Sequence, residues 1–354
     1  MYHDALENGA NIRKGEIRVM AIISQSVDIH HLKLKNRLVM PPMATAKSAA
    51  GDLVSPELCE YYKERALYSR IGLIITEHSY ISPQGKAGRS QLSMAADDVL
   101  EGMRTLTRTV HETGVKIMAQ INHAGSRADR EVTGCEPVGP SPVLHPNGGK
   151  APLSVPHELT KAEIKGIVSD FAQAARRAKE AGFDGVEIHS AHGYLLNQFY
   201  SPLTNRRQDE YGADTMENRI RFHVEVIRAV REAVGDEYPI AIRIGGCDYH
   251  EGGSTEKDCV EACRVFEKAG VDLLDITGGL FGYIIPGRTE PGYFKEMSKA
   301  VKEAVKIPVL LTGGVKKISQ ASELLEAGWT DLIGVGRAIF KDARWADKEA
   351  ELQG

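Results

Sequence analysis

One phrase returns along the chain and restricts its fold more than any other feature: a helical stretch, a glycine, an apolar residue, often an aspartate, then a strand. It reads KEAGFDGVEIH at 179–189, EKAGVDLLDIT at 267–277 and LEAGWTDLIGV at 325–335. Weaker copies are SRIGLIITE at 69–77 and ETGVKIMAQI at 112–121. The pattern describes a helix closed by glycine in the left-handed position and followed at once by a buried strand. The strands are near-continuous Val/Ile/Leu runs rather than strict alternations, as a sheet covered on both faces requires.

Eight strands are predicted, around 37–41, 72–76, 115–120, 185–189, 239–244, 272–276, 307–312 and 331–335. Helices are predicted between them at 56–70, 97–113, 160–181, 215–234, 255–269, 291–305 and 318–327, with an eighth at 338–350. Strand and helix eight times over is the arithmetic of an α/β chain closed as a (β/α)₈ TIM barrel. The rival is an open doubly wound sheet, but no G-x-G-x-x-G follows the first strand. Residues 20–354 therefore read as one barrel domain and residues 1–19 as a poorly ordered leader, with Met20 an alternative start.

The net charge is −4, and no Lys/Arg block appears, so nucleic acid is not an expected partner. No apolar run is long enough for a bilayer span. The charged N-terminus lacks the apolar stretch of a secretory signal. Five scattered cysteines without C-x-x-C suggest a reduced, cytoplasmic protein with no disulfide frame, iron–sulfur cluster or thiol zinc site. A homo-oligomer is compatible with all of this.

In a barrel, chemistry belongs on the loops after the strands. The longest, about 122–159, holds Pro137, Pro140, Pro142, Pro146, Pro152 and Pro156, and reads as a lid, with a plain surface excursion as the alternative. LLTGGV (310–315) and IGVGRAIF (333–340) end the last two strands. Glycines there let backbone N–H groups approach a phosphate, and Arg337 adds a guanidinium fork. Gln120 closes MAQI, with Asn122 and His123 beyond it. Arg243 lies inside PIAIRIGG, where burial is costly unless it meets an anion. It reads either as an ion pair with an acid such as Glu187 or as a cation held against an electron-accepting ring. His189, His192 and Tyr194 follow the fourth strand in VEIHSAHGYLLNQFYSPL (186–203). Zinc is disfavoured because no third ligand stands at a suitable spacing. The three can instead grip a carbonyl oxygen and offer a phenolic proton.

VEIHSAHGYLLNQFYSPLTNRRQDEYGADTMENRIRF (186–222) resembles the old yellow enzyme family of FMN-dependent (β/α)₈ oxidoreductases. The likeness extends over about 30–350 through KNRLVMPPMAT (35–45), QINHAGSR (120–127), AIRIGG (241–246), LLTGGV and VGRAIF. It is strongest toward the NADH:flavin oxidoreductase branch, which includes the catalytic barrels of 2,4-dienoyl-CoA and 2-enoate reductases. The resemblance implies that Pro42, Met43 and Ala44 line the flavin and that Gln120 bonds its pyrimidine side. Arg243 would lie at the N1/O2 edge, with Gly313, Gly314, Gly336 and Arg337 on the phosphate. His189 and His192 would bind the substrate's activating oxygen, and Tyr194 would donate the proton. Tyr283 and Arg288, in FGYIIPGRTEPGY (281–293), are candidates for substrate contact or solvated loop positions.

Three departures stand out. Ala44 occupies a position that is Thr or Cys in many members, with Thr45 a candidate replacement. Ser126 is inserted into the usual H-A-G-R. The cluster motif and second flavin domain of the larger reductases are not found, so electrons are expected directly from NADH or NADPH, or from a separate partner. The expected activity is ping-pong reduction of an activated C=C bond in a small molecule of enone or enoate type. The alternatives are a flavin-dependent amine dehydrogenase or demethylase, and a non-redox barrel enzyme acting on a phosphorylated substrate.

Overall fold

Every strand predicted from the repeated phrase is present in the computed structural model, which describes residues 22–148 and 154–346. They are β1 Leu38–Met40, β2 Leu73–Ile75, β3 Lys116–Asn122, β4 Gly185–Ser190, β5 Ile240–Cys247, β6 Leu273–Gly278, β7 Val309–Thr312 and β8 Leu332–Gly334. Each pairs in parallel with the next, and β8 returns to β1, closing the barrel. The outer helices are α1 Pro56–Tyr68, α2 Leu100–His111, α3 Lys161–Glu180, α4 Met216–Val234, α5 Glu256–Ala269, α6 Lys295–Lys302, α7 Ile318–Glu326 and α8 Arg337–Lys341. The sixth is shorter than predicted. The eighth begins one residue early, breaks after Lys341 and is helical again at 345–346, while 347–350 of the predicted span, like the leader 1–19 and Pro152, lie outside the described residues.

The repeated phrase does two jobs. Gly182, Gly270 and Gly328 all take positive φ (87°, 112° and 71°), so each helix turns straight into its strand. The aspartates that follow bond across to the neighbouring strand. Asp184 accepts from the Ile117 N–H at 2.9 Å, Asp272 from Ile240 at 2.9 Å and Asp331 from Val309 at 3.0 Å. Each thereby satisfies an amide at the open lower end of the barrel. The weaker copy SRIGLIITE differs. There Arg70 takes the left-handed conformation, at φ 52°, while Gly72 lies where a Cβ would come within 2.9 Å of the Asn36 carbonyl oxygen.

A hairpin missed in the sequence, Val27–Ile29 with Leu32–Leu34, plugs that lower end. Its Ile29, Leu32 and Leu34 pack with Val39, Leu73, Met118, Ala241, Leu273, Leu310 and Leu332 inside the barrel. Burial of each large side chain stabilises by roughly 1.5–3 kcal/mol. The long loop after β3 carries a short helix, Arg130–Thr133, and a two-residue parallel pairing of Val138–Gly139 with His157–Glu158. Among the described residues no helix is long and apolar enough to cross a membrane.

Candidate active site

Side-chain alternation along the strands decides what reaches the barrel interior. Met118, Ala241, Leu273, Leu310 and Leu332 form a dry layer. Two residues further on, the same face carries Gln120, Arg243, Asp275, Thr312 and Gly334. Register sets Gln120 beside Glu187 and Arg243 beside Asp275. The interior thus turns polar within one pleat, and a cavity of about 820 Å³ opens above it.

Gln120 donates to Glu187 Oε1 at 2.8 Å. Arg243 Nε lies 3.1 Å from Asp275 Oδ2, but the two are not aligned for a hydrogen bond. The contact is Coulombic, and both atoms keep unused bonding capacity, as does Glu187 Oε2. The expected ion pair therefore exists, with Asp275 rather than Glu187 as the direct partner, and Arg243 also lines the cavity. Burial and then the Asp275 charge push the Glu187 carboxyl well above its usual range, against the opposing pull of Arg243. Burial also pushes Asp275 up, to about 6, with Arg243 opposing.

At one end of the cavity His189 stands one residue before the end of β4, two residues past Glu187 and on the same face. His192 takes a left-handed φ of 58°, rare outside glycine, and Gly193 continues at 75°. That reversal brings the His192 ring to 5.2 Å from His189, centre to centre, while Tyr194 stands 5.1 Å from His189. Gly193 cannot carry a Cβ, which would run into His145. His192 Nε2 is 3.1 Å from Thr277 Oγ1, and His189 Nδ1 has no partner. Burial first, then neighbouring cationic and imidazole groups, hold both histidines well below their ordinary range, so they are neutral at pH 7. Burial raises the Tyr194 phenol, against the opposing pull of Arg127, and keeps its proton in place.

The opposite end is lined by Gly313, Gly314, Gly336, Arg337, Lys316 and Lys341. Gly314 has φ 72°, and a Cβ there would come within 2.6 Å of the Glu290 carbonyl oxygen; at Gly336 it would lie 3.0 Å from Met43 Sδ. Pro42, Met43 and Ala44 form a side wall. Thr45 is not among the lining residues, and its hydroxyl donates to Glu77 Oε1 at 2.6 Å. The inserted Ser126 is held by its N–H to Gln198 Oε1 at 3.0 Å, and the next residue, Arg127, reaches the cavity wall. Tyr283 lines the cavity while 59% exposed. Arg288 does not line it; its guanidinium faces Glu290, Glu296 and the Tyr293 carbonyl.

Sequence reasoning missed His78, Thr277, Thr312, Lys316 and Lys341 as cavity residues, and assigned Arg127 no role. His78 lies three residues beyond β2, as His189 lies at the upper end of β4, so the strand-end rule would have found it. Among the described residues no group of three or more His, Cys, Asp or Glu side chains could hold a metal ion.

Comparison with known proteins matches residues 24–352 to the family described as "NADH:flavin oxidoreductase / NADH oxidase family". The chain belongs to that family. The NADH oxidase of Thermoanaerobacter brockii is 40% identical over 329 residues, covering 91% of this chain and 50% of that protein. The chain thus spans about half the length of that relative. The NADPH dehydrogenase of Clostridium acetobutylicum is 36% identical over 334 residues, 94% of this chain and 95% of that one. The solved old yellow enzyme homologue from Zymomonas mobilis superposes with a TM-score of 0.83 at 28% identity, covering 93% and 92%.

This family implies FMN and a nicotinamide donor, and the residues present fit a flavin mononucleotide. A cavity with a glycine-lined, cationic end suits a phosphate. Unspent polar atoms on Arg243 and its neighbours suit the polar edge of a flat heterocycle.

Proposed function

We propose that this flavin oxidoreductase reduces activated C=C bonds with electrons from NADH or NADPH, in a ping-pong cycle. The observation that carries the reading is the grouping of His189, His192 and Tyr194 at one end of a cavity whose other end is built for an anion. Gly313, Gly314, Gly336 and Arg337 would hold the FMN phosphate, Gln120 and Arg243 its ring edge, and Pro42, Met43 and Ala44 its face. Bound there, FMN would supply two-electron chemistry, accepting a hydride from the nicotinamide and passing one to the substrate's β-carbon.

His189 and His192 would donate to the substrate's activating oxygen and draw charge off the β-carbon. Each well-placed donor is worth about 2.7–4 kcal/mol of barrier. Tyr194, its proton retained by burial, would protonate the α-carbon. Neutral histidines suit the work, because they donate without demanding a counter-ion in a buried site. The left-handed turn at His192 fixes the separation of the two rings before any substrate arrives.

The test is anaerobic. NAD(P)H should bleach the flavin absorbance, and cyclohexenone should restore it with one enone consumed per flavin. Bleaching by a methylated amine and not by NAD(P)H would replace this reading with the amine dehydrogenase. A correctly folded, colourless protein that takes up no FMN would end both.

A further inference from the structure

His78 has a fixed tautomer, and the feature that fixes it lies outside the groups assigned above. Gln91 Oε1 accepts the Ala87 N–H at 2.6 Å, and Gln91 Nε2 donates to the His78 carbonyl at 3.2 Å. Two backbone groups thus set which way the amide points; a flipped amide would face oxygen with oxygen and N–H with N–H. The same Nε2 stands 2.7 Å from His78 Nδ1, and the Asn122 amide nitrogen is 3.4 Å from it. Nδ1 must therefore accept, and the single proton of the neutral ring sits on Nε2. His78 lines the cavity, with its ring centre 5.4 Å from Tyr194 and 6.0 Å from His189. Burial, then the Arg243 charge, pull it down to about 4, so the ring is neutral at pH 7 and offers one proton.

Arg127 joins this end of the cavity, anchored by Nη1 to the His192 carbonyl at 3.1 Å. No Asp or Glu appears among the described lining residues. A ketone oxygen offers two lone pairs, which donors from His189 and His192 would saturate. A further N–H beside a guanidinium suits a group with a second oxygen and negative charge.

We propose that His78 is a substrate-binding residue whose Nε2–H, with the His189 and His192 donors and beside the Arg127 guanidinium, selects α,β-unsaturated carboxylates over mono-ketones. The inference rests on the alkene-reductase reading above. A carboxylate activates its double bond poorly because it already carries negative charge, so extra donors matter most for that class. The net reaction is unchanged: the C=C π bond breaks, hydride of NAD(P)H origin goes to the β-carbon, the Tyr194 proton goes to the α-carbon, and the carboxylate is retained.

The test uses FMN-loaded enzyme and two saturated probes of one framework, 3-phenylpropanoate and 4-phenyl-2-butanone, titrated by calorimetry. His78→Ala should weaken the carboxylate roughly 10–100-fold, the value of a hydrogen bond to a charged group, and the ketone less than about twofold. His78→Gln, which keeps a donor, should recover part of the loss. Equal losses for both probes, or none for the carboxylate, overturn the proposal. Should His78→Ala not retain FMN, the ¹⁵N spectrum of histidine-labelled wild type decides: a protonated Nε2 that shifts with 3-phenylpropanoate supports the assignment, and a protonated Nδ1 refutes it. Selective loss of carboxylate affinity in an enzyme that reduces no alkene would sink the reaction and spare the site. Alkene turnover with carboxylate affinity indifferent to His78 would do the reverse.

Discussion

The lower and upper halves of the barrel interior come from the same eight strands, yet they answer to different physics. Below, Leu310, Leu273 and Met118 meet the plug of Ile29, Leu32 and Leu34 in a dry, close-packed layer. One pleat higher, Gln120, Glu187, Arg243 and Asp275 form a buried polar layer whose hydrogen-bonding capacity is only partly spent. The lower layer stabilises by excluding water. The upper one is costly to bury, and its unsatisfied atoms face or underlie the cavity, where a ligand can complete them.

The sharpest way to break this contrast is at Arg243. Arg243→Met leaves two buried carboxyls without their cation and should cost about 3–5 kcal/mol in urea unfolding at pH 7, together with loss of FMN affinity. A variant as stable as wild type would mean the polar layer is not electrostatically balanced by this residue. Next, Leu310→Ala should cost about 2–5 kcal/mol through a cavity in the dry layer, while the folded protein keeps its FMN stoichiometry. If that substitution released FMN as readily as the change at Arg243, the two layers would not be separable.

A third prediction sharpens the upper half alone. Tyr194→Phe should slow reoxidation of the reduced enzyme by cyclohexenone about 100-fold and leave both reduction by NAD(P)H and the melting temperature nearly unchanged. Undiminished reoxidation would remove the phenol from the proton step.

The smallest effect is a pH dependence. Asp275 holds its proton more tightly folded than unfolded, so between pH 4 and 6 the native state binds more protons, and stability from this group falls as pH rises. The buried histidines act oppositely: their lowered folded values make stability rise with pH across the acid range. Comparison with Asp275→Asn cancels the histidines. From pH 4 to 6 the wild type should lose on the order of 1–2 kcal/mol relative to the variant. A flat difference would show that the Asp275–Glu187 pair takes up no extra proton on folding.

Much of this was legible in one dimension. Gly182, Gly270 and Gly328 end helices, and the apolar runs after them are buried strands, because capping and burial are local consequences of residue type and spacing. His189, His192 and Tyr194 were visible because they crowd the end of a single strand. His78 carries only the weaker signal of its place after β2, since it stands alone in its own segment and acquires neighbours only when β2 and β4 close around the barrel. The hairpin went unread for a related reason. Its short alternation has nothing to bury until a ring of strands presents an open end.

The sequence by itself determined the repeating unit, the number of barrel strands and the presence of polar residues at their upper ends. Each of these follows from the pattern of side chains along a few consecutive residues. Only the tertiary structure decided that Asp184, Asp272 and Asp331 tie neighbouring strands, that Arg243 meets Asp275 before Glu187, that Thr45 turns to Glu77, and that Gln91 sets the proton on His78. Those are pairings between segments, most of them distant in sequence. Barrel register, which no single segment carries, brings together those on the strands, and the loops packed above them bring together the rest.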